Sequence, residues 1–261
     1  MRRTIVAGNW KMHKTPSEFQ AFNKEFSQKM ETLENRNSVV IIFPPFLYLE
    51  EQSRFSGHYP GYFSGAQDCH HDDEGAYTGE VSPAMISEAG CRYVIIGHSE
   101  RRIHFGETNE TTHLKVQAAL RNNLTPVLCC GETLAQREAG MEKEIVGSQI
   151  RDALVQGLTG DQIVIAYEPV WAIGTGKSAS KEEAREMHTF IRNELKSILT
   201  ETEAEHVSIL YGGSVKPENA QELFQCTDID GALIGGASLD PEKFFSIILE
   251  MEKVAEVSPE K

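Results

Sequence analysis

Eight short runs rich in β-branched residues, each followed by a longer stretch with helical spacing, constrain this 261-residue chain more than any other feature. The runs are Thr4–Trp10, Val39–Phe43, Tyr62–Ala66, Tyr93–Gly97, Pro126–Cys130, Ile163–Tyr167, Val207–Tyr211 and Gly231–Ile234. Val39-Val40-Ile41-Ile42-Phe43 is apolar throughout, as a strand covered on both faces requires, and such strands belong to parallel sheets. The stretches between them read as helices. Ser82-Pro83 is a cap followed by proline in the first turn, and Gly90 closes that helix. Phe19, Phe22 and Phe26 form one apolar stripe. Ser180-Lys181-Glu182-Glu183 opens the longest helix with a cap and with acids that suit the positive end of the helix dipole. The alternation gives an α/β fold, and at this level a closed barrel and a doubly wound open sheet both fit. No repeat, low-complexity tract or linker interrupts it. Residues 1–261 are therefore expected to form one domain, with a frayed tail from Val254 to Lys261.

The polar residues after the runs favour the barrel. Run one ends in Asn9 and Lys11, run four in His98, Ser99 and Glu100, and run six in Glu168-Pro169. Run seven ends in Gly212-Gly213-Ser214 and run eight in Gly235-Gly236. Alone, each has an ordinary reading: a surface lysine, a structural histidine, a turn. An open sheet scatters them along its width, whereas a (βα)8 TIM barrel gathers all eight strand ends on one face, where active sites are built. The glycines after runs seven and eight let the backbone approach an anion closely. Ser238-Leu239-Asp240-Pro241 is a candidate for the short extra helix found at barrel phosphate sites.

Composition narrows the function. With 25 basic and 39 acidic residues the net charge is −14, which argues against nucleic-acid binding and requires any anionic substrate to be captured locally. Gly174-Thr175-Gly176-Lys177-Ser178 is not a nucleotide-binding loop, because the first glycine of that motif falls on Trp171. Pro169 to Ala179 reads instead as a mobile lid anchored by Trp171. His70, His71, Asp72, Asp73 and Glu74 have the composition of metal ligands, but adjacent side chains seldom converge on one ion, so no metal is expected. The five cysteines, Cys69, Cys91, Cys129, Cys130 and Cys226, contain no CxxC pair and read as reduced thiols of a cytoplasmic protein. The N-terminal apolar run is too short for a secretory signal, and no stretch is long enough to span a membrane.

Five segments together resemble the triosephosphate isomerase family, and the likeness runs nearly end to end. They are Gly8-Asn9-Trp10-Lys11-Met12; Ile96-Gly97-His98-Ser99-Glu100-Arg101-Arg102; Ala166-Tyr167-Glu168-Pro169-Val170-Trp171 with Ala172 to Lys177; Tyr211-Gly212-Gly213-Ser214; and Gly231 to Ser238. The resemblance implies a cofactor-free isomerase of glycolysis and gluconeogenesis that interconverts dihydroxyacetone phosphate and D-glyceraldehyde 3-phosphate. Carried over by position, Glu168 is the carbon base, and His98 moves protons between the two oxygens. Lys11 steadies the enediolate, Asn9 polarises the oxygens, and Glu100 pairs with Lys11 or joins the proton relay. Gly174, Ser214, Gly235 and Gly236 would donate to the phosphate, and Leu233 would wall the pocket. A helix start facing His98 is expected to keep its imidazole neutral. The competing readings are another phosphate-binding barrel isomerase or epimerase, and a catalytically silent barrel that binds phosphate ligands or protein partners.

The resemblance also implies a homodimer in which the loop Gln67 to Glu80 enters the partner, with Thr78 approaching the partner's Asn9 and Lys11. Asp68 stands in that loop where many relatives carry Asn. Two outcomes are open for it: satisfied by backbone N–H groups or a cation, Asp68 has its pKa lowered; desolvated and unpaired, it has its pKa raised, and the second is the expectation.

Overall fold

Each of the eight strands pairs in parallel with its sequence neighbours, and the first also pairs with the last, in a computed structural model that describes residues 2–33, 37–173 and 179–257. The strands are β1 Thr4–Asn9, β2 Ser38–Phe43, β3 Tyr62–Ala66 and β4 Tyr93–Ile96. They continue as β5 Thr125–Cys130, β6 Val164–Tyr167, β7 Ser208–Tyr211 and β8 Gly231–Ile234. Each lies within one residue of its sequence run at either end. Val6 pairs with Val40 on one side and with Ala232 on the other, which closes the barrel and leaves no sheet edge to protect.

Two apolar layers follow from the two-residue period of a strand. Ile5, Ala7, Ile41, Phe43, Tyr93, Ile95, Val127, Cys129, Val164, Ala166, Leu210 and Leu233 form one buried cluster, the barrel interior. Their neighbours Val6, Val40, Ile42, Val94, Leu128, Ile165 and Ile209 belong to the second cluster, which includes the helices. Phe19, Phe22 and Phe26 are buried in that layer from the helix Pro16–Met30. Ser82 accepts a bond from the Met85 N–H, and Ser180 from the Glu183 N–H, so both caps read from the sequence form. Gly90 takes the left-handed conformation, φ +85°, that closes a helix.

The last helix, Pro241–Val257, runs past the point where fraying was expected. Val254 is buried among the core residues, so apolar contact holds the first part of the expected tail in the helix. Among the described residues, no helix is long and apolar enough to cross a membrane.

Candidate active site

Strand parity aims the site residues. Ile5 and Ala7 face the barrel interior, and Asn9 is the next residue on that face. Val164 and Ala166 lead in the same way to Glu168, and Leu233 leads to Gly235. His98 falls off this parity. Gly97 re-aims it by taking a left-handed turn, φ +71°, beside Arg102 and Thr112. Lys11 is itself left-handed, φ +54°, an uncommon state for a lysine. The conformation is held from both sides: the Lys11 N–H donates to Asn9 Oδ1 (3.0 Å), and Gln67 Nε2 donates to the Lys11 carbonyl (2.9 Å).

These side chains meet at one end of the barrel. Lys11 Nζ lies 2.5 Å from Glu100 Oε1. Glu168 is 2% exposed; its Oε1 lies 2.9 Å from His98 Nε2, and its Oε2 accepts the Ser99 N–H at 2.9 Å. The Glu100 N–H donates to His98 Nδ1 at 3.2 Å, so a singly protonated ring carries its proton on Nε2, toward Glu168. Burial alone disfavours the His98 cation, but the Glu168 carboxylate outweighs it and raises the pKa. That corrects the expectation from the helix start alone, which left the adjoining carboxylate out. Burial conversely pushes Glu168 up, but His98 and the Ser99 N–H outweigh it and hold the carboxyl below its ordinary value.

Asn9, Lys11, His98 and Glu168 line a cavity of about 560 Å³ together with Ser214, Leu233, Gly235 and Gly236. Glu100 stands behind Lys11. The short helix after β8 covers Gly236–Leu239, two residues earlier than the Ser238–Pro241 segment named from the sequence. Gly174 and most of the lid's expected tip, residues 174–178, lie outside the described residues. The lid's expected anchor is described: Trp171 Nε1 donates to Glu132 Oε1 (2.8 Å).

Glu132 was not singled out in the sequence. It is fully buried and also accepts from the Tyr167 hydroxyl (3.1 Å) and from Arg137 (3.2 Å). The rule applied to the other strand ends finds it, since Gly131-Glu132 directly follows β5. Gly131 is equally constrained, because a Cβ there would lie 1.8 Å from the Glu168 carbonyl oxygen.

One expectation for the loop after β3 needs correction. Asp68 is buried but not unpaired: Lys115 Nζ lies 2.7 Å from Oδ1 and Arg101 Nε 2.8 Å from Oδ2. Glu107 shares both cations. Burial, aided by Glu107, outweighs Lys115 and Arg101 and pushes Asp68 up to about 6. In the neighbouring cluster, donor atoms of His70, His71 and Asp72 converge to within 4.8 Å, more closely than adjacency in sequence suggests. The His70 and His71 rings stack at 4.3 Å, which brings the donors together. His70 Nδ1 is occupied by the Asp72 N–H (3.0 Å).

Similarity to known proteins agrees with this geometry. Residues 4–251 match the family model described as triosephosphate isomerase. The triosephosphate isomerase of Moorella thermoacetica is 50% identical over 251 residues, covering 95% of this chain and 98% of that protein. That of Alkalilimnicola ehrlichii is 48% identical over 250 residues, with the same coverage. Among solved structures, the triosephosphate isomerase of Bartonella henselae superposes with a TM-score of 0.86 at 38% identity, covering 95% of this chain and 98% of that one. With the strand-end residues gathered in one cavity and a family model matched over nearly its whole length, the chain belongs to the triosephosphate isomerase family.

Proposed function

We propose that Glu168, His98, Lys11 and Asn9 carry out in this chain the reaction of its family, the interconversion of dihydroxyacetone phosphate and D-glyceraldehyde 3-phosphate through an enediolate. Glu168 takes the proton from the carbon beside the carbonyl. His98 passes protons between the two oxygens, Asn9 polarises them, and Lys11 steadies the negative charge that develops. Glu100 holds the Lys11 ammonium at the cavity. The observation that carries this reading is the buried Glu168 carboxylate, held at the barrel mouth by His98 Nε2 and the Ser99 N–H. Those two donors lower its basicity while the site is at rest. Turning away from them toward a substrate carbon, in a site emptied of water, raises it.

The phosphate is bound by backbone N–H groups of Gly235 and Gly236 and by Ser214, with Gly174 from the lid and with Leu233 as a wall. Lys11 supplies local positive charge against a net charge of −14. The latch of Trp171 on Glu132 supports a lid over this site. The chain works as a homodimer through Gln67 to Glu80, with Thr78 entering the partner's site. Support comes from Met12, Leu47, Tyr77, Met85, Ile103 and Phe105, large apolar side chains exposed on the single chain. Each follows one of β1 to β4, four neighbouring strands, and exposed large apolar side chains concentrated on that side favour a covered surface there. The five free, buried thiols fit a reducing cytoplasm.

Purified protein in a coupled assay is the test. It is expected to form glyceraldehyde 3-phosphate from dihydroxyacetone phosphate without added cofactor, and to do so equally in a chelator. No turnover by a folded protein would contradict the reading.

A further inference from the structure

The turn that presents Gly235 and Gly236 is tied to the loop after β1 by two side chains that belong to neither the base nor the proton relay. Trp10 Nε1 donates to the Ser238 carbonyl (3.0 Å), and Lys14 Nζ donates to the next carbonyl, that of Leu239 (2.9 Å). Within the turn, Ser238 Oγ closes back on the Gly235 carbonyl (2.7 Å). Ser238 also seats tightly on β1, since a Cβ at Gly8 would lie 2.9 Å from its own. Fixing the two carbonyls therefore fixes the peptide units that start at Gly235.

Lys14 is unusual in how it reaches that bond. Its backbone is left-handed, φ +78°, a conformation glycine adopts freely and lysine does not. A non-glycine residue stays in that region when its surroundings hold it there, and such strain gathers at functional sites. Here the Tyr48 hydroxyl donates to the Lys14 carbonyl (3.0 Å), while the ammonium lies 4.7 Å from the Phe22 ring centre and 5.1 Å from that of Trp10. The acids that face it are Glu18 and Asp240. The side chain is thus half-buried and committed to one carbonyl.

We propose that Lys14 is a positioning residue for the phosphate group of the substrate: with Trp10 it anchors the Ser238 and Leu239 carbonyls, which sets the N–H groups of Gly235 and Gly236 toward the cavity. The proposal rests on the phosphate-binding reading given above. Lys14 touches neither the phosphate nor the reacting carbons.

The test compares Lys14→Met, Lys14→Gly and Lys14→Arg with the parent, using inorganic phosphate as the probe. Its inhibition constant reads anion binding without the chemical step. Lys14→Met and Lys14→Gly are expected to raise that constant about tenfold and to lower kcat/KM for triose phosphate by a similar factor. Lys14→Arg keeps the charged donor and stays within about twofold of the parent on the same scale. Lys14→Gly relieves the backbone and is expected to melt no lower than Lys14→Met, so its loss of phosphate binding is not a loss of folding. An unchanged phosphate constant in both the Met and Gly variants would overturn the proposal, as would a Lys14→Arg protein that behaves like Lys14→Met. The isomerase reading itself stands or falls on the parent's turnover, which the comparison of variants leaves untouched.

Discussion

His188 shows how one buried side chain contributes to the acid stability of the molecule. It lies between the rings of Tyr167 and Tyr211, and its Nδ1 donates to the Asp228 carbonyl (2.9 Å). Burial pushes its pKa down to about 4, against the opposing pull of that carbonyl. The unfolded chain binds a proton near pH 6.5, and the folded one does not until near pH 4. Stability from this group is therefore full above about pH 7 and is lost as pH falls from 6.5 toward 4, by about 2 kcal/mol at pH 5. Urea unfolding at pH 8 and pH 5 checks it: His188→Gln should lose that much less than the parent over the interval. Equal losses would mean that His188 carries no such cost. At this scale legibility was uneven. The meeting of Asn9, Lys11, His98 and Glu168 at one end of the barrel was readable because strand ends are local properties of the sequence. Lys14 was not, because its acceptor lies 225 residues away.

At the scale of elements, the strands were readable to within a residue because an apolar, β-branched run bounded by polar residues has few other uses. The caps at Ser82 and Ser180 were readable for the same local reason. The contact made by Trp171, the expected anchor of the proposed lid, was readable only in half. Trp171 is visible as a large aromatic among small residues, but its acceptor, Glu132, stands on another strand end and is recognised once β5 lies beside β6. The latch makes a prediction. Trp171→Phe keeps the ring and removes the indole N–H, which weakens closure by about the worth of one hydrogen bond to a charged group. The fraction of turnovers that lose phosphate from the intermediate should rise about tenfold. Measuring inorganic phosphate released per triose isomerised gives that fraction directly. An unchanged fraction would show that this bond does not govern closure.

For the whole molecule, the charges that the sequence could not pair are those that matter. Asp68 ties the loop after β3 to the helices Ser99–Phe105 and Asn109–Arg121 through Arg101 and Lys115. With its pKa raised to about 6, its contribution to stability is present below the unfolded value near 4 and is lost as pH climbs through 6. Asp68→Asn removes that titration. Relative to the parent it should therefore gain about 1 kcal/mol on going from pH 5 to pH 8, whatever its offset at pH 5. Thermal unfolding at both values, at one protein concentration, measures the difference. A mutant that loses ground over that interval would show an anion stabilised by its cations. The sequence displayed Asp68 as a lone carboxylate because the two cations that meet it lie 33 and 47 residues further on.

Closure of the barrel also brings Asn9, His98 and Glu168, from three separated strands, into one cavity, where the proposed reaction leaves the carbon proton to Glu168 alone. The direct measurement is isomerase turnover of Glu168→Gln, with circular dichroism and sedimentation run on the same sample. Glutamine keeps the shape and cannot accept that proton, so kcat is expected to fall by at least 10²–10⁴-fold, the usual worth of a positioned proton-transfer group, while fold and assembly match the parent. A folded Glu168→Gln protein that turns over at near the parent's rate would contradict the assignment of the base.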